Sequence, residues 1–310
     1  MSGLLSVLVP ITITPAVLLS TTAVGEGYAN WDKTKTYAVG EYCYSPTTQR
    51  NYRSLIGSNL NKDPSDPTNR TASGSNPVYW LDVGPPNHLA MFDKKIGTKT
   101  KTSGDLTLKL RPGPISSLYV AGVNAGVLNV TARDATGGEV VFTYSGSMEG
   151  SAPDDYWEWC FDPFEPLTDM LVTGIPPYGT GEVTVSLTNG GGAVECSTLA
   201  VGDVKVLGQT LADAEAEPVS YAYIDTDQWG NTDIVDGPSA TNLTMTAVTE
   251  TRADGARAQA IVTSLLGKQA FWFCSDRPDA VGLRTWGLGT GRFSYDSTRC
   301  HISMTVKGGI

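Results

Sequence analysis

Over most of this chain apolar residues alternate with polar ones, the period of strands that bury one face. Leu106, Leu108 and Leu110 alternate with Thr107 and Lys109. Leu128, Val130 and Ala132 alternate with Asn129 and Thr131, and Val183, Val185 and Leu187 with Thr184 and Ser186. Gly-bearing turn segments, Asp134–Gly138 and Asn189–Gly192, lie between the runs. Short alternating strands separated by such turns predict a jelly-roll β-sandwich over residues 88–208. Alternation returns at Leu243, Met245 and Ala247 and at Cys300, Ile302, Met304 and Val306. Gln269–Cys274 (QAFWFC) is a continuous apolar run and predicts a buried strand. One stretch changes period. Ala258, Ile261, Val262, Leu265 and Leu266 fall at i, i+3, i+4, i+7 and i+8, which predicts a helix over about Arg252–Leu266. Thr251 or Asp254 would cap its start and Gly267 would take the C′ position. Residues 209–310 therefore predict a β-domain with one packed helix.

The first 87 residues follow neither pattern. Leu4–Ser20 (LLSVLVPITITPAVLLS) has the apolarity of a leader's hydrophobic core. No Lys or Arg precedes it, and Pro10 and Pro15 interrupt it. Proline bars a continuous helix, and the Val, Ile and Thr content favours extended chain. Residues 1–27 thus predict an extended apolar arm, packed on its own chain or on a neighbour. Residues 28–87 are rich in Asn, Ser, Thr, Pro and Tyr, and Asn59–Asn76 is a polar loop that cannot form a core. Packing in this segment falls to Trp31, Tyr37, Tyr42, Tyr44, Tyr52, Tyr79 and Trp80.

Charge narrows the functional classes. The 310 residues carry 22 basic and 32 acidic side chains, net −10, which argues against nucleic-acid binding through a basic surface and against adherence to anionic membranes. Charged residues are only 17% of the chain and mean hydropathy is −0.12, too apolar and too weakly charged for a disordered protein. His88 and His301 are the only histidines, which leaves few ways to build a His-rich metal site or a Ser-His-Asp triad. The cysteines, Cys43, Cys160, Cys196, Cys274 and Cys300, are odd in number and widely spaced. They read as reduced, buried apolar residues of a protein made in a cytoplasm.

The aromatic segment resembles the small chitin-binding type of carbohydrate-binding module, families 5 and 12. The resemblance rests on WDKTKTYAVG at Trp31–Gly40, NYRSL at Asn51–Leu55 and PVYWLDVG at Pro77–Gly84. It implies a module core of Trp31, Tyr37, Gly40 and Tyr52. Where the family carries an exposed Trp pair, this chain has Ser54–Asn59 with no aromatic. Tyr42, Tyr44, Tyr79 and Trp80 remain as the candidate carbohydrate-binding platform. Sugar rings present apolar C–H faces that pack on flat aromatic rings, and their hydroxyls bond polar neighbours.

A wider resemblance covers essentially the whole chain. WLDVGPPNH at Trp80–His88, LAMFD at Leu89–Asp93, LTLKLRPG at Leu106–Gly113, TDMLV at Thr168–Val172, GEVTVSLT at Gly181–Thr188, LAVGD at Leu199–Asp203 and DTDQWG at Asp225–Gly230 follow one another as in a family of tailed-bacteriophage virion proteins. In element order the C-terminal domain is similar to the β-sandwich-plus-helix unit of phage tail-tube and distal-tail proteins. The resemblance implies a non-enzymatic structural component of the tail or baseplate, made in the host cytoplasm and carried in the virion. Its implied partners are other tail proteins, copies of itself through the arm and the C-terminal domain, and host cell-surface polysaccharide through the small module. It implies no cofactor, no nucleic acid and no membrane insertion.

Asp154, Asp155, Glu158, Asp162, Glu165 and Asp169 lie near Trp157, Trp159 and Phe161, the ingredients of glycoside hydrolysis, but they read as a solvated loop beside core tryptophans. Asp225–Gly230 has alternate acidic residues like a calcium loop but Trp229 at the third position, and reads as a turn between strands. Trp286–Gly291 has the glycines of a phosphate loop without its Lys. His88 and His301 read as structural. The sequence assigns no catalytic or metal-ligating residue. Alternatives to the tail component are a secreted or surface glycan-binding lectin and a glycan-degrading tail enzyme.

Overall fold

The computed structural model describes residues 3–72, 77–93, 97–150, 155–161, 166–226, 228–235, 237–274 and 282–309. The chain is mostly β, with a small N-terminal domain, a β-sandwich and a C-terminal β-domain carrying one packed helix. The arm supplies β1 (Leu4–Pro10) and β2 (Leu18–Thr21). The small domain holds β3 (Thr36–Tyr37), β4 (Tyr42–Ser45), β5 (Arg50–Ser54), β6 (Asn59–Leu60) and β7 (Trp80–Gly84). A 3-10 turn at Asn87–Phe92 leads into the sandwich. Its elements are β8 (Thr100–Thr102), β9 (Leu106–Leu110), β10 (Ser117–Ala121), β11 (Val127–Arg133), β12 (Val140–Ser147), the short helix α1 (Tyr156–Phe161), β13 (Asp169–Thr173), β14 (Glu182–Thr188) and β15 (Val194–Cys196). Then come β16 (Thr198–Ser220), β17 (Tyr223–Thr226), β18 (Thr232–Val235), β19 (Ser239–Val248), α2 (Arg252–Ser264), β20 (Gln269–Phe273), β21 (Arg284–Tyr295) and β22 (Cys300–Gly308).

The sandwich follows the alternation. One layer is the five-stranded sheet β12-β11-β14-β9-β2. Leu106, Leu108, Leu110, Leu128, Val130, Ala132, Val183, Val185 and Leu187 all point into one core and are at most 3% exposed. The facing layer is β13, β10 and the start of β16, which contribute Leu118, Val120, Val172, Leu199 and Val201 to that core.

The C-terminal domain is a closed barrel. Its strands run β1-β20-β21-β22-β19-β16, and β1 also pairs with β16, so the ring of six has no open edge. Every pairing in it is antiparallel. The interior is filled by Leu5, Val7, Leu243, Met245, Ala270, Trp272, Ile302, Met304 and Val306. Helix α2 packs on β16, β21 and β22 and sends Ala258, Val262 and Leu265 into the same core. Thr251 caps the helix start by accepting from the Asp254 N–H; the C-cap is Leu265, so C′ falls on Leu266 and Gly267, expected there, stands one residue further on at φ 74°. The helix sits so close to β22 that a Cβ on Gly255 would meet the Cys300 Cβ at 2.4 Å.

Barrel and sandwich share a wall. Strand β10 is buried on both faces: Leu118 and Val120 face the sandwich core, Tyr119 and Ala121 a separate cluster with Leu8, Ala200, Phe271, Phe273 and Trp286. Tyr119 stacks on Phe271 with ring centroids 3.7 Å apart. Its hydroxyl bonds Asp169, which pairs with Arg284 at 2.9 Å. Burial, with the Asp169 charge adding to it, pushes the Tyr119 phenol well above its ordinary range. Strand β16 passes from the sandwich layer (Thr198–Gly202 against β10) through the barrel wall to a ribbon paired with β19, so the boundary expected at residues 208/209 falls inside one strand.

The arm packs on its own chain, one of the two arrangements the sequence left open. Ser6, Val7 and Leu8 pair with Phe273, Trp272 and Phe271 on one side, while Leu4–Pro10 pairs with Gly202–Gln209 on the other. Leu5, Val7 and Leu8 are fully buried, each side chain contributing about 1.5–3 kcal/mol by removal from water.

Leu5→Ala should therefore lower stability by about 2–5 kcal/mol in chemical denaturation, against less than about 0.5 kcal/mol for Leu4→Ala. Leu4 is 50% exposed at the same end of the strand. Equal effects of the two changes would contradict the barrel.

Candidate functional site

The small domain is built around four fully covered side chains, Tyr37, Cys43, Tyr52 and Trp80, with Trp31 and Tyr79 packed against them. Tyr37 meets Trp80 edge-on at 5.1 Å and 73°. Tyr37, Tyr52 and Trp80 each find a polar partner, as a buried hydroxyl or indole requires, while the buried Trp31 Nε1–H has none among the described residues. The Trp80 Nε1–H donates to the Lys62 carbonyl at 2.7 Å, and the Tyr37 hydroxyl accepts from the Asp32 N–H at 2.8 Å. Tyr52 and Thr48 share a hydroxyl bond at 2.9 Å. Gly40 takes φ 83° at the turn before β4 and donates its N–H to the Ser54 carbonyl. Burial pushes the Cys43 thiol up to about 12.

This geometry divides the four candidate platform residues. Trp80 is 1% exposed and its ring is spent on the core, so it offers no face to a sugar; the reading of Trp80 as a binding residue is corrected. Tyr79 packs against the core cluster, and the Lys62 ammonium lies 4.7 Å from its ring centroid. Tyr42 and Tyr44 alternate with the buried Cys43 and lie on the opposite face of the β4-β5-β7 sheet. Burial raises the Tyr44 phenol, as expected of a partly covered ring.

The sequence reading missed Tyr28. It stacks on Tyr42 with centroids 4.8 Å apart and planes 12° from parallel, and is 37% exposed. An isolated bridge between Asn30 and Tyr44 brings this stretch alongside β4. No periodicity links positions 28 and 42, so only the fold reveals the pair. Across the sheet from Tyr42 stand Arg53 and then Leu81, both exposed. The outer face thus presents a two-ring aromatic step, a guanidinium and an aliphatic shelf. That set can pack on the C–H face of a sugar ring and donate to its hydroxyls.

The remaining candidates resolve differently. Trp157, expected to be a core tryptophan, is instead 66% exposed on α1, where it packs on Phe161 at 4.3 Å. Asp154, Asp162 and Glu165 lie outside the described residues. Asp225 and Asp233 are cross-strand partners in the β17-β18 hairpin, which bears out a turn there. His301, expected to have no partner, sits 3.5 Å from Asp296; burial lowers the pKa of His88. Among the described residues no cluster of three or more His, Cys, Asp or Glu side chains could hold a metal, and no helix is long and apolar enough to cross a membrane.

Two measurements check this layout. Trp80→Ala should cost about 3–5 kcal/mol in urea unfolding, whereas Tyr42→Ala should cost less than half of that. Ellman's reagent at mildly alkaline pH should titrate Cys160 rapidly, because it alone of the five thiols is exposed. Cys43 and Cys196, both pushed up to about 12, and Cys274, at about 11, should react only on unfolding. Rapid modification of several thiols in the folded protein would contradict the burial described.

No protein-family model matches the chain, and no curated protein matches it. Among solved structures, the F5/8 type C domain of a Bacteroides fragilis protein aligns at 17% identity over 39% of this chain and 82% of that chain, with a TM-score of 0.27. A score that low does not place the two chains in one fold.

Proposed function

We propose that this protein is a non-enzymatic structural component of a bacteriophage tail or baseplate, which assembles as a homo-oligomer and displays its small domain toward host-surface glycans. The order of motifs along the chain suggests the class. The observation that carries the assembly reading is the ribbon beyond the barrel. There β16 and β19 continue as a pair, Glu217–Ser220 against Ser239–Asn242, and β17 and β18 extend it.

Several of its large apolar side chains have no core to cover them. Tyr223 is 65% exposed, Ile234 64%, Val235 61% and Trp229 78%. A two-stranded ribbon is at best marginally stable by itself in water, and large apolar side chains exposed on both of its faces mark a contact surface. A second copy is the favoured cover. The ribbon belongs to the C-terminal domain, which the sequence reading, like the arm, placed at contacts between subunits. The low charge of the chain suits surfaces covered in an assembly.

The Tyr28–Tyr42 step supports weak glycan adhesion. One small aromatic platform gives millimolar-class affinity, and repeated copies on a ring multiply it without new contacts.

Light scattering on the full chain should give an oligomeric mass. Combined Tyr223→Ser, Trp229→Ser and Ile234→Ser should reduce it to the monomer with an unchanged far-ultraviolet spectrum. A monomeric unaltered protein at high concentration would refute the assembly reading. In polysaccharide pull-down, Tyr28→Ala and Tyr42→Ala should each lower retention at least about threefold, and undiminished retention in both would remove the platform.

A further inference from the structure

The charge of the ribbon dictates what can cover it. Between Lys205 and Arg252 the chain has no Lys or Arg and eight Asp or Glu. Asp225 and Asp233 stand directly opposite each other across the β17-β18 hairpin, and both are exposed. Like charges in that position are destabilising, and a cation laid against both relieves the repulsion. The same hairpin carries the exposed Tyr223, Trp229 and Ile234. A second ribbon placed symmetrically on the first would set carboxylates against carboxylates. The cover therefore has to bring cations and an apolar recess from another part of the molecule.

Such a recess lies where the arm, the small domain, the sandwich and the barrel meet. It is a cavity of about 350 Å³. Ile11 and Ile13 of the arm, Phe92 and Trp286 give it apolar walls. Its charged lining residues are Arg50 and Lys268 against Asp93, an excess of cation in a chain of net charge −10. Arg50 is held by Asp82 at 2.8 Å and by Asp93 at 3.4 Å. Lys268 is exposed and has no ion-pair partner among the described residues. The volume is at the lower end of the range for small-molecule sites, room for one indole ring but not for a pair of strands. No residue of the hairpin lines the cavity of its own chain.

We infer that the β17-β18 hairpin of one copy docks in the junction cavity of the next, with Trp229 inserted among Ile11, Ile13 and Trp286 and the Asp225–Asp233 pair against Lys268. The inference rests on the assembly reading above and specifies its geometry. Two different patches meet, so the contact is head-to-tail, the kind that closes into a ring when the rotation between copies allows it. Complementary charge then offsets the repulsion between two acidic chains and selects the cavity over a second hairpin.

The test uses the full chain in analytical ultracentrifugation. Lys268→Glu and Asp233→Lys, both at exposed positions, should each raise the dissociation constant for self-association at least about tenfold, with thermal midpoints unchanged or higher. Mixed in equal amounts, the two variants should associate again to within about threefold of the unaltered chain, because each hairpin then meets a cavity of opposite charge. Carbodiimide coupling of mixed ¹⁴N- and ¹⁵N-labelled chains should join Asp225 or Asp233 of one copy to Lys268 of the other. An oligomeric unaltered chain whose Lys268→Glu variant associates equally well, a mixture no stronger than its components, or mixed-isotope couplings that all miss Lys268 would each overturn the docking and leave assembly through the ribbon standing. A monomeric unaltered chain would overturn both.

Discussion

The closure of the barrel by β1 is the constraint on which the rest of the structure depends. Without it β16 and β20 would each expose a row of unpaired backbone N–H and C=O groups, and the interior around Trp272 would be open to water. With it, an N-terminal strand finishes a domain whose other strands all come from residue 198 onward. Both faces of β1 are used. Leu5 and Val7 enter the barrel, while Leu8 enters the wedge that joins barrel to sandwich. A few residues further on, β2 adds to the edge of the sandwich by pairing with β9. The arm therefore sews the two large domains together from one end of the chain.

That seam also positions the small domain. Between β2 and β3 the chain passes Glu26, whose carboxylate accepts from Asn51 at 3.0 Å and from the Asn87 backbone N–H at 3.1 Å. The Arg50–Asp93 pair ties β5 to the segment entering the sandwich. These bonds hold the small domain at both of its ends. The junction cavity is the space left where the three domains and the arm converge, and the Tyr28–Tyr42 step lies on another face. A recessed pocket and an outward platform thus have separate physical origins.

Much of the architecture was legible in the sequence because it depends on local periodicity. The triplets at Leu106–Leu110, Leu128–Ala132 and Val183–Leu187 could bury one face only as strands, and Ala258, Val262 and Leu265 could do so only as a helix. Composition likewise marked the small domain as one held together by aromatics. What stayed hidden depends on pairing between distant positions. Nothing in LLSVLVP specifies Gly202–Gln209 and Phe271–Phe273 as its partners, so whether the arm served its own chain or a neighbour could not be read. The inward turn of Trp80 and the stacking of Tyr28 on Tyr42 are of the same kind. The junction cavity is further still from sequence, since its lining comes from every part of the chain.

Amide hydrogen exchange on β1 tests the central claim most directly. If β1 closes its own chain's barrel, the amides of Ser6, Val7 and Leu8 exchange as slowly as those of Phe271–Phe273, and their protection is independent of protein concentration down to dilute monomer. Fast exchange along β1, or protection that appears only as concentration rises, would show that the strand is completed by a neighbouring copy and would contradict the account.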